Sequence, residues 1–242
     1  MNFSKTKKIK LFCLPYAGGL SSFYNKWNKC LSEYIDICPI EYPGRGRRVK
    51  DPLYGNFDDA LKDIYQSIFK ELNTDNYALF GHSLGCVLAY EFACWMKAEK
   101  QVIPKHIFLS GAHPPNSFKD NMFNLHTLPD DEFIEEIFRY GGTMKQILSE
   151  RKMLSAFIPI IRADCKAFET YREVPKIDKL NCDITVLTGK DDEIALLEST
   201  AKWQIRFNGS YKRYLFDGGH FFINGNTEKI VKIVNETLIN YV

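Results

Sequence analysis

Gly81-His82-Ser83-Leu84-Gly85 is the segment of this chain best suited to covalent chemistry. A serine hydroxyl is a weak nucleophile and becomes effective only where a base can reach it. A G-x-S-x-G pentapeptide meets that need by presenting the serine on a turn between a strand and a helix, too tight for a bulky flanking side chain. The same five residues can also arise by chance as a plain turn with an idle serine. Their surroundings favour the elbow. Tyr77–Phe80 reads as a short buried strand, and Leu84–Met96 is apolar nearly all round, as a deeply buried helix would be. The chemistry implied is transfer of an acyl group to Ser83 and then to water.

Behind an elbow of this kind the catalytic partners follow in the order acid, then histidine. Histidines stand at 82, 106, 113, 126 and 220. His82 lies inside the elbow, at a position read as pointing away from the nucleophile, and the next three precede the candidate acid. His220 is left as the general base, on the loop Asp217-Gly218-Gly219-His220, whose glycines let the imidazole come over the serine. Leu187-Thr188-Gly189-Lys190-Asp191-Asp192 supplies two acids at a strand end, one to orient the imidazole and the other to serve the turn or cap a helix. Asp164 and Asp183 are weaker competitors. An oxyanion hole needs two backbone N–H groups. One is that of Leu84, and the other comes from Tyr16 or Ala17 in the glycine-rich turn Pro15-Tyr16-Ala17-Gly18-Gly19. Pro43-Gly44-Arg45-Gly46-Arg47-Arg48 is a tight basic turn. Its arginines are either solvated or directed at a phosphate or acidic partner, since a guanidinium fork matches phosphate geometry.

These residues need a scaffold. Apolar runs at 9–14, 35–42, 77–80, 107–110, 184–188 and 211–216 read as strands, and helices are expected at 23–34, 57–72, 84–96, 195–207 and 227–240. Strands alternating with helices call for a mostly parallel central sheet covered on both faces. The alternation breaks between Gly111 and Ile184, where only helical signals occur. Asp130 follows Pro129 and can cap a helix carrying Phe133, Ile134, Ile137 and Tyr140, ended by Gly141-Gly142. A second helical stretch, 152–171, contains Pro159 and is expected to kink or split there. The reading is a single α/β-hydrolase domain over 1–242, with a helical lid insertion at about 113–170. Phe133, Ile137 and Phe157 are expected to face an acyl channel or the sheet beneath it.

Composition excludes several classes. The chain has 242 residues, 45% hydrophobic and 26% charged, with 32 basic and 30 acidic side chains. A net charge of +2 implies no field for binding nucleic acid. Seven cysteines, an odd number without C-x-x-C spacing, fit a reducing compartment better than a disulfide framework. Leu11–Leu14 is too short for a signal peptide, and no run approaches the roughly 18 apolar residues of a membrane span. A cytoplasmic monomer without metal or cofactor is expected.

Together these pieces resemble the type II thioesterases that accompany nonribosomal peptide and polyketide synthetases. The resemblance rests on Leu14–Gly19, Tyr42–Arg48, Phe80–Gly85, Leu128-Pro129-Asp130-Asp131-Glu132-Phe133 and Phe216-Asp217-Gly218-Gly219-His220-Phe221, spread from the first strand to the last. It implies an editing enzyme of antibiotic-type pathways that hydrolyses acyl or aminoacyl groups from the phosphopantetheine arm of acyl- or peptidyl-carrier domains. The insertion would then be a mobile lid. It further implies Ser83 as nucleophile, His220 as base and Asp192, the last residue of Gly-x-x-Asp, as acid. The turn favours the same choice, with Gly189 reversing the chain and the Asp191 carboxylate serving local backbone N–H groups. Arg45, Arg47 and Arg48 become candidates for contact with the carrier. Relatives releasing medium-chain fatty acids share the motifs. A carboxylesterase or lipase acting on soluble esters would have the same triad, and a catalytically silent binding protein would not need the triad types in order.

Overall fold

The computed structural model describes residues 8–115, 124–139, 151–173 and 178–242, except for the side chains of 151–155. Six strands form one sheet: β1 (Ile9–Leu14), β2 (Ile35–Pro39), β3 (Tyr77–His82), β4 (His106–Ser110), β5 (Asp183–Gly189) and β6 (Tyr211–Phe216). Every pairing is parallel, in the order β2-β1-β3-β4-β5-β6. Along β1, Ile9, Leu11 and Cys13 enter the core on one face, while Phe12 and Leu14 enter the core on the other; Ala78 and Phe80 alternate with Tyr77 and Leu79 in β3 in the same way. Strands buried on both faces leave no polar side in the sequence, which is why unbroken apolar runs marked them.

The helices among the described residues are α1 (Phe57–Glu71), α2 (Leu84–Ala98), α3 (Asp130–Arg139), α4 (Arg151–Glu169), α5 (Leu197–Thr200), α6 (Phe222–Gly225) and α7 (Thr227–Leu238). Helices α1 and α2 cover one face of the sheet. Helix α7 covers the other, with Ile230 and Val234 sharing a core with Tyr24 and Trp27. The chain leaves β1 toward β2 on one side and β3 toward β4 on the other. The carboxyl ends of β1 and β3 therefore flank the switch point of the sheet, the place where open α/β sheets generally bind their ligands.

Several expected elements differ. The helix expected at 23–34 is a 3₁₀ segment, Ser21–Lys29; its buried Tyr24 and Trp27 are three residues apart, the period of that tighter helix. The strand expected to reach 42 stops at Pro39. The region 195–207 holds α5 and then a 3₁₀ turn, Ala201–Arg206, rather than one helix. Asp130 is the first residue of α3 rather than its cap, and its carboxylate accepts from Arg162 Nη2 at 2.6 Å. Helix α4 runs through Pro159 without splitting, at the cost of one backbone hydrogen bond. Gly141-Gly142 lie outside the described residues.

Between β4 and β5 the described chain holds helices and no strand. Its helices make a small core of their own, in which Phe133 and Ile161 are buried and Ile137 and Phe157 pack around them. This corrects the expectation for Phe133. Its ring is 1% exposed and lies 4.2 Å from the Arg162 guanidinium, so it holds α3 to α4 and does not line a channel. Arg162 also donates to the carbonyls of His126 and Leu128. Phe133→Ala is therefore expected to loosen these helices by about 3 kcal/mol. Amide exchange across α3 should accelerate roughly a hundredfold while β3 and β4 stay protected. Unchanged exchange in α3 would count against this packing role.

Candidate active site

The sharp turn after β3 gives Ser83 a φ of +55° and a ψ of −119°, a conformation that non-glycine residues rarely adopt. Strain of about 1–3 kcal/mol is characteristic of such positions and is offset by the surrounding packing. Here the Ser83 N–H donates to the Ser110 carbonyl at 2.9 Å. Of the two elbow glycines Gly85 carries the tighter contact, since a Cβ there would meet the Leu14 carbonyl oxygen at 2.2 Å. The start of α2 thus lies against the end of β1. Leu84 opens α2, so its N–H belongs to the set that a helix start leaves without an intrahelical acceptor. Tyr16 and Ala17 lie in the turn after β1, which the Gly19 N–H closes onto the Tyr16 carbonyl at 2.8 Å.

At the far side, the loops after β5 and β6 zip together. Lys190 N–H donates to the Phe216 carbonyl at 2.9 Å, and Asp191 N–H to the Gly218 carbonyl at 3.1 Å. A Cβ on Gly189 would come within 2.5 Å of the Gly218 and Gly219 carbonyls, so only glycine allows this approach. The zipped loops bring Asp192 to His220, whose Nδ1 lies 3.1 Å from Oδ2 and 3.2 Å from Oδ1. Oδ1 also accepts the N–H groups of Ile194 at 2.9 Å and Ala195 at 2.8 Å. Burial by itself would push the Asp192 carboxyl up. The His220 hydrogen bond and charge, with the two backbone donors, outweigh it and hold the group below its ordinary value. Asp191 is exposed, and it joins the turn through its N–H. The local backbone bonding expected of the Asp191 carboxylate is made by Asp192 instead.

The remaining histidines have other partners. His106 bonds Thr185 Oγ1 and Tyr241 Oη near the amino end of β4, His113 Nε2 meets the Ile194 carbonyl, and His126 pairs with Glu169. His82 does not simply turn out of the site. Its ring centroid lies 5.3 Å from that of His220 and its Nδ1 is 2.8 Å from Ser110 Oγ. Complete burial, then the nearby His220, hold it well below the ordinary imidazole value, so it is a neutral floor to the site. Asp183, a weaker candidate acid, sits at the opposite end of β5 and accepts from Tyr241 Oη and Ser210 N–H.

One of the three candidate carrier arginines is corrected, and a second is half-buried in ion pairs of its own. Arg45 is 2% exposed and forms a two-pronged ion pair with buried Asp164 at 2.6 and 2.7 Å. Arg48 forks onto Asp63 at 2.8 and 2.7 Å and reaches Asp51. Both guanidiniums hold the turn together. Arg47 alone of the three is exposed. Ser110, at the end of β4, was missed in the sequence because nothing local distinguishes it from any strand-end serine.

The site lies within a recognisable family. A family model described as a thioesterase domain matches residues 9–238. Thioesterase PikA5 of Streptomyces venezuelae is 30% identical over 231 residues, spanning 96% of this chain and 81% of that protein. The medium-chain S-acyl fatty acid synthase thioesterase of Homo sapiens is 31% identical over 232 residues, spanning 93% and 84%. The crystal structure of ClbQ from the colibactin NRPS/PKS pathway superposes with a TM-score of 0.91 at 34% identity, covering 97% of this chain and 98% of that one. These likenesses bear out the α/β-hydrolase fold read from the strand pattern. No helix of the described residues is long and apolar enough to cross a membrane. A match over nearly the whole chain, with a strained serine and a buried carboxylate–imidazole pair at the carboxyl end of the sheet, leads to one assignment: the chain belongs to the thioesterase domain family and is a thioester hydrolase.

Proposed function

We propose that this chain removes acyl or aminoacyl groups from the phosphopantetheine arm of carrier proteins in secondary-metabolite synthesis, with Ser83, His220 and Asp192 as its catalytic triad. The observation that carries this reading is the buried Asp192–His220 pair at the same carboxyl end of the sheet as the strained Ser83. In the first half-reaction Ser83 Oγ attacks the thioester carbonyl carbon while His220 Nε2 takes its proton. Negative charge gathers on the carbonyl oxygen, where the N–H groups of Leu84 and of Tyr16 or Ala17 receive it. The C–S bond then breaks, His220 returns the proton to the leaving sulfur, and the acyl group remains on Ser83. Water repeats the sequence with His220 as base, releasing the acid and the free serine. The helices between β4 and β5 act as the lid over this site.

Carrier-borne thioesters should be hydrolysed with a lower KM than the same acyl group on coenzyme A, because a protein adds contact area beyond the arm. Arg47, beside exposed Val49, is the residue of the basic turn free to make that contact. Arg47→Glu is expected to raise KM for an acyl-carrier substrate about fivefold and flatten its salt dependence, leaving an acyl-pantetheine substrate unaffected. Equal KM values for carrier and coenzyme A substrates would remove the carrier reading. A second reading, release of medium-chain fatty acids, is favoured by the human relative. It is tested by the chain-length profile: a rate maximum at eight to twelve carbons, roughly the span meant by medium chain, would favour it. A parallel assay on soluble oxygen esters tests the carboxylesterase alternative.

A further inference from the structure

The mechanism makes no use of Asp164, although its side chain is wholly buried and charged. It projects from α4, in the segment between β4 and β5, into the body of the domain. Its Oδ1 accepts from Arg45 Nη2 at 2.7 Å. Its Oδ2 accepts from Arg45 Nη1 at 2.6 Å and from the Gly18 N–H at 2.7 Å. Arg45 in turn donates to the carbonyls of Gly19 at 3.3 Å and Pro43 at 3.2 Å. Three segments distant in sequence thus meet at one carboxylate: the turn after β1, the basic turn and α4.

Gly18 stands in the turn that offers Tyr16 and Ala17 as oxyanion donors. It is the third residue of that turn, with a φ of +77°, the signature of a type II turn. Types I and II differ by a half-rotation of the central peptide, here the one joining Ala17 to Gly18. An acceptor fixed on the Gly18 N–H selects one orientation. Earlier in the chain the Leu14 and Pro15 carbonyls are held from elsewhere, by Tyr24 Oη at 3.0 Å and Tyr42 Oη at 2.9 Å, and the Tyr16 carbonyl is held by the Gly19 N–H at 2.8 Å. The Gly18 N–H is held by α4. We infer that Asp164, itself held by Arg45, is a positioning residue that sets the oxyanion-hole turn and couples it to the helices between β4 and β5.

This inference rests on the reading of Tyr16 or Ala17 as an oxyanion donor, and the test separates the two. Removing one charge of a buried pair would leave the other uncompensated, whereas neutralising both is commonly tolerated. Two double variants serve. Arg45→Met with Asp164→Leu removes the Gly18 acceptor, and Arg45→Met with Asp164→Asn restores it as an uncharged amide oxygen. Loss of an oxyanion donor costs about 10²–10³ in kcat, so a turn free to flip should cost roughly tenfold. The leucine variant is expected to show kcat about tenfold lower than the asparagine variant, with KM alike. Its affinity for an alkyl trifluoromethyl ketone, which forms a tetrahedral oxyanion adduct on the serine, should fall in parallel. Binding of a non-hydrolysable thioether analogue should be equal in both. Asp164→Asn alone supplies the same comparison with Arg45 intact, and it should keep more activity than Asp164→Leu. Equal kcat and equal ketone affinity across these pairs, with Ser83→Ala inactive, would overturn the role of Asp164 and leave the serine mechanism standing. Full activity in Ser83→Ala would remove the oxyanion reading beneath it, and this inference with it.

Discussion

Ser83→Ala is expected to lower kcat for thioester hydrolysis by about 10⁴–10⁶ while leaving the fold and the substrate KM nearly unchanged. The hydroxyl is the atom that forms the acyl bond, and nothing else within the elbow can replace it. The fold should survive because Ser83 Oγ serves no structural hydrogen bond among those described; the elbow is held by backbone contacts, the Ser83 N–H on Ser110 and the Cys86 N–H on the Ser83 carbonyl at 2.9 Å. His220→Ala should fall into the same range, since the two residues act as a unit and their losses do not add. The check is single-turnover hydrolysis of a carrier-bound acetyl group, with circular dichroism to verify folding, and a fluorophosphonate label to report the serine independently. Wild-type protein should take up one label and Ser83→Ala none. Activity within tenfold of wild type in a folded Ser83→Ala would sink the serine mechanism.

Asp192→Asn is the second large effect, an expected loss of roughly 10⁴-fold, whereas Asp191→Asn should stay within about threefold of wild type. The asymmetry comes from what each carboxylate touches. Oδ1 of Asp192 already accepts two backbone N–H groups, and His220 Nδ1 lies slightly nearer Oδ2. An asparagine would keep its carbonyl oxygen on the two backbone donors and turn its NH₂ toward His220. Nδ1 would then have to accept, the ring proton would move to Nε2, and that nitrogen could no longer take the proton of Ser83. The inactive tautomer is therefore the comfortable one. Asp191 is exposed and enters the turn through its N–H, which the amide does not alter. Kinetics of both variants on one carrier substrate decide it. The reverse ranking would transfer the role to Asp191.

How much of this was legible beforehand follows from how far apart the interacting residues are. The elbow could be read because its requirements are local: a strand, a tight turn and a helix within residues 77–98, with Gly85 needed where α2 meets β1. The six strands could be read because burial on both faces writes itself as an apolar run. His220 emerged by chain order, and the choice between adjacent aspartates by the turn after Gly189 together with the Gly-x-x-Asp spacing of the resemblance. The 3₁₀ segment at 21–29 was mistaken for an α-helix, because periods of three and of 3.6 scarcely differ over nine residues.

The tertiary structure decided which charged and aromatic groups were spare. Arg45, Arg47 and Arg48 are alike in sequence, yet Asp164, 119 residues beyond Arg45, buries the first, and Asp63 engages the third. Phe133 has the spacing of a channel-facing residue, but Ile161 and Arg162 from a later helix close over it. His82 ends β3 at a position whose alternation reads as turned from the nucleophile, and only the loop after β6 brings His220 against its ring. Local sterics and periodicity determine which elements form and where a nucleophile can stand. A buried ion pair or ring contact depends on a partner that arrives from elsewhere in the chain, and neither member carries a local mark of the other.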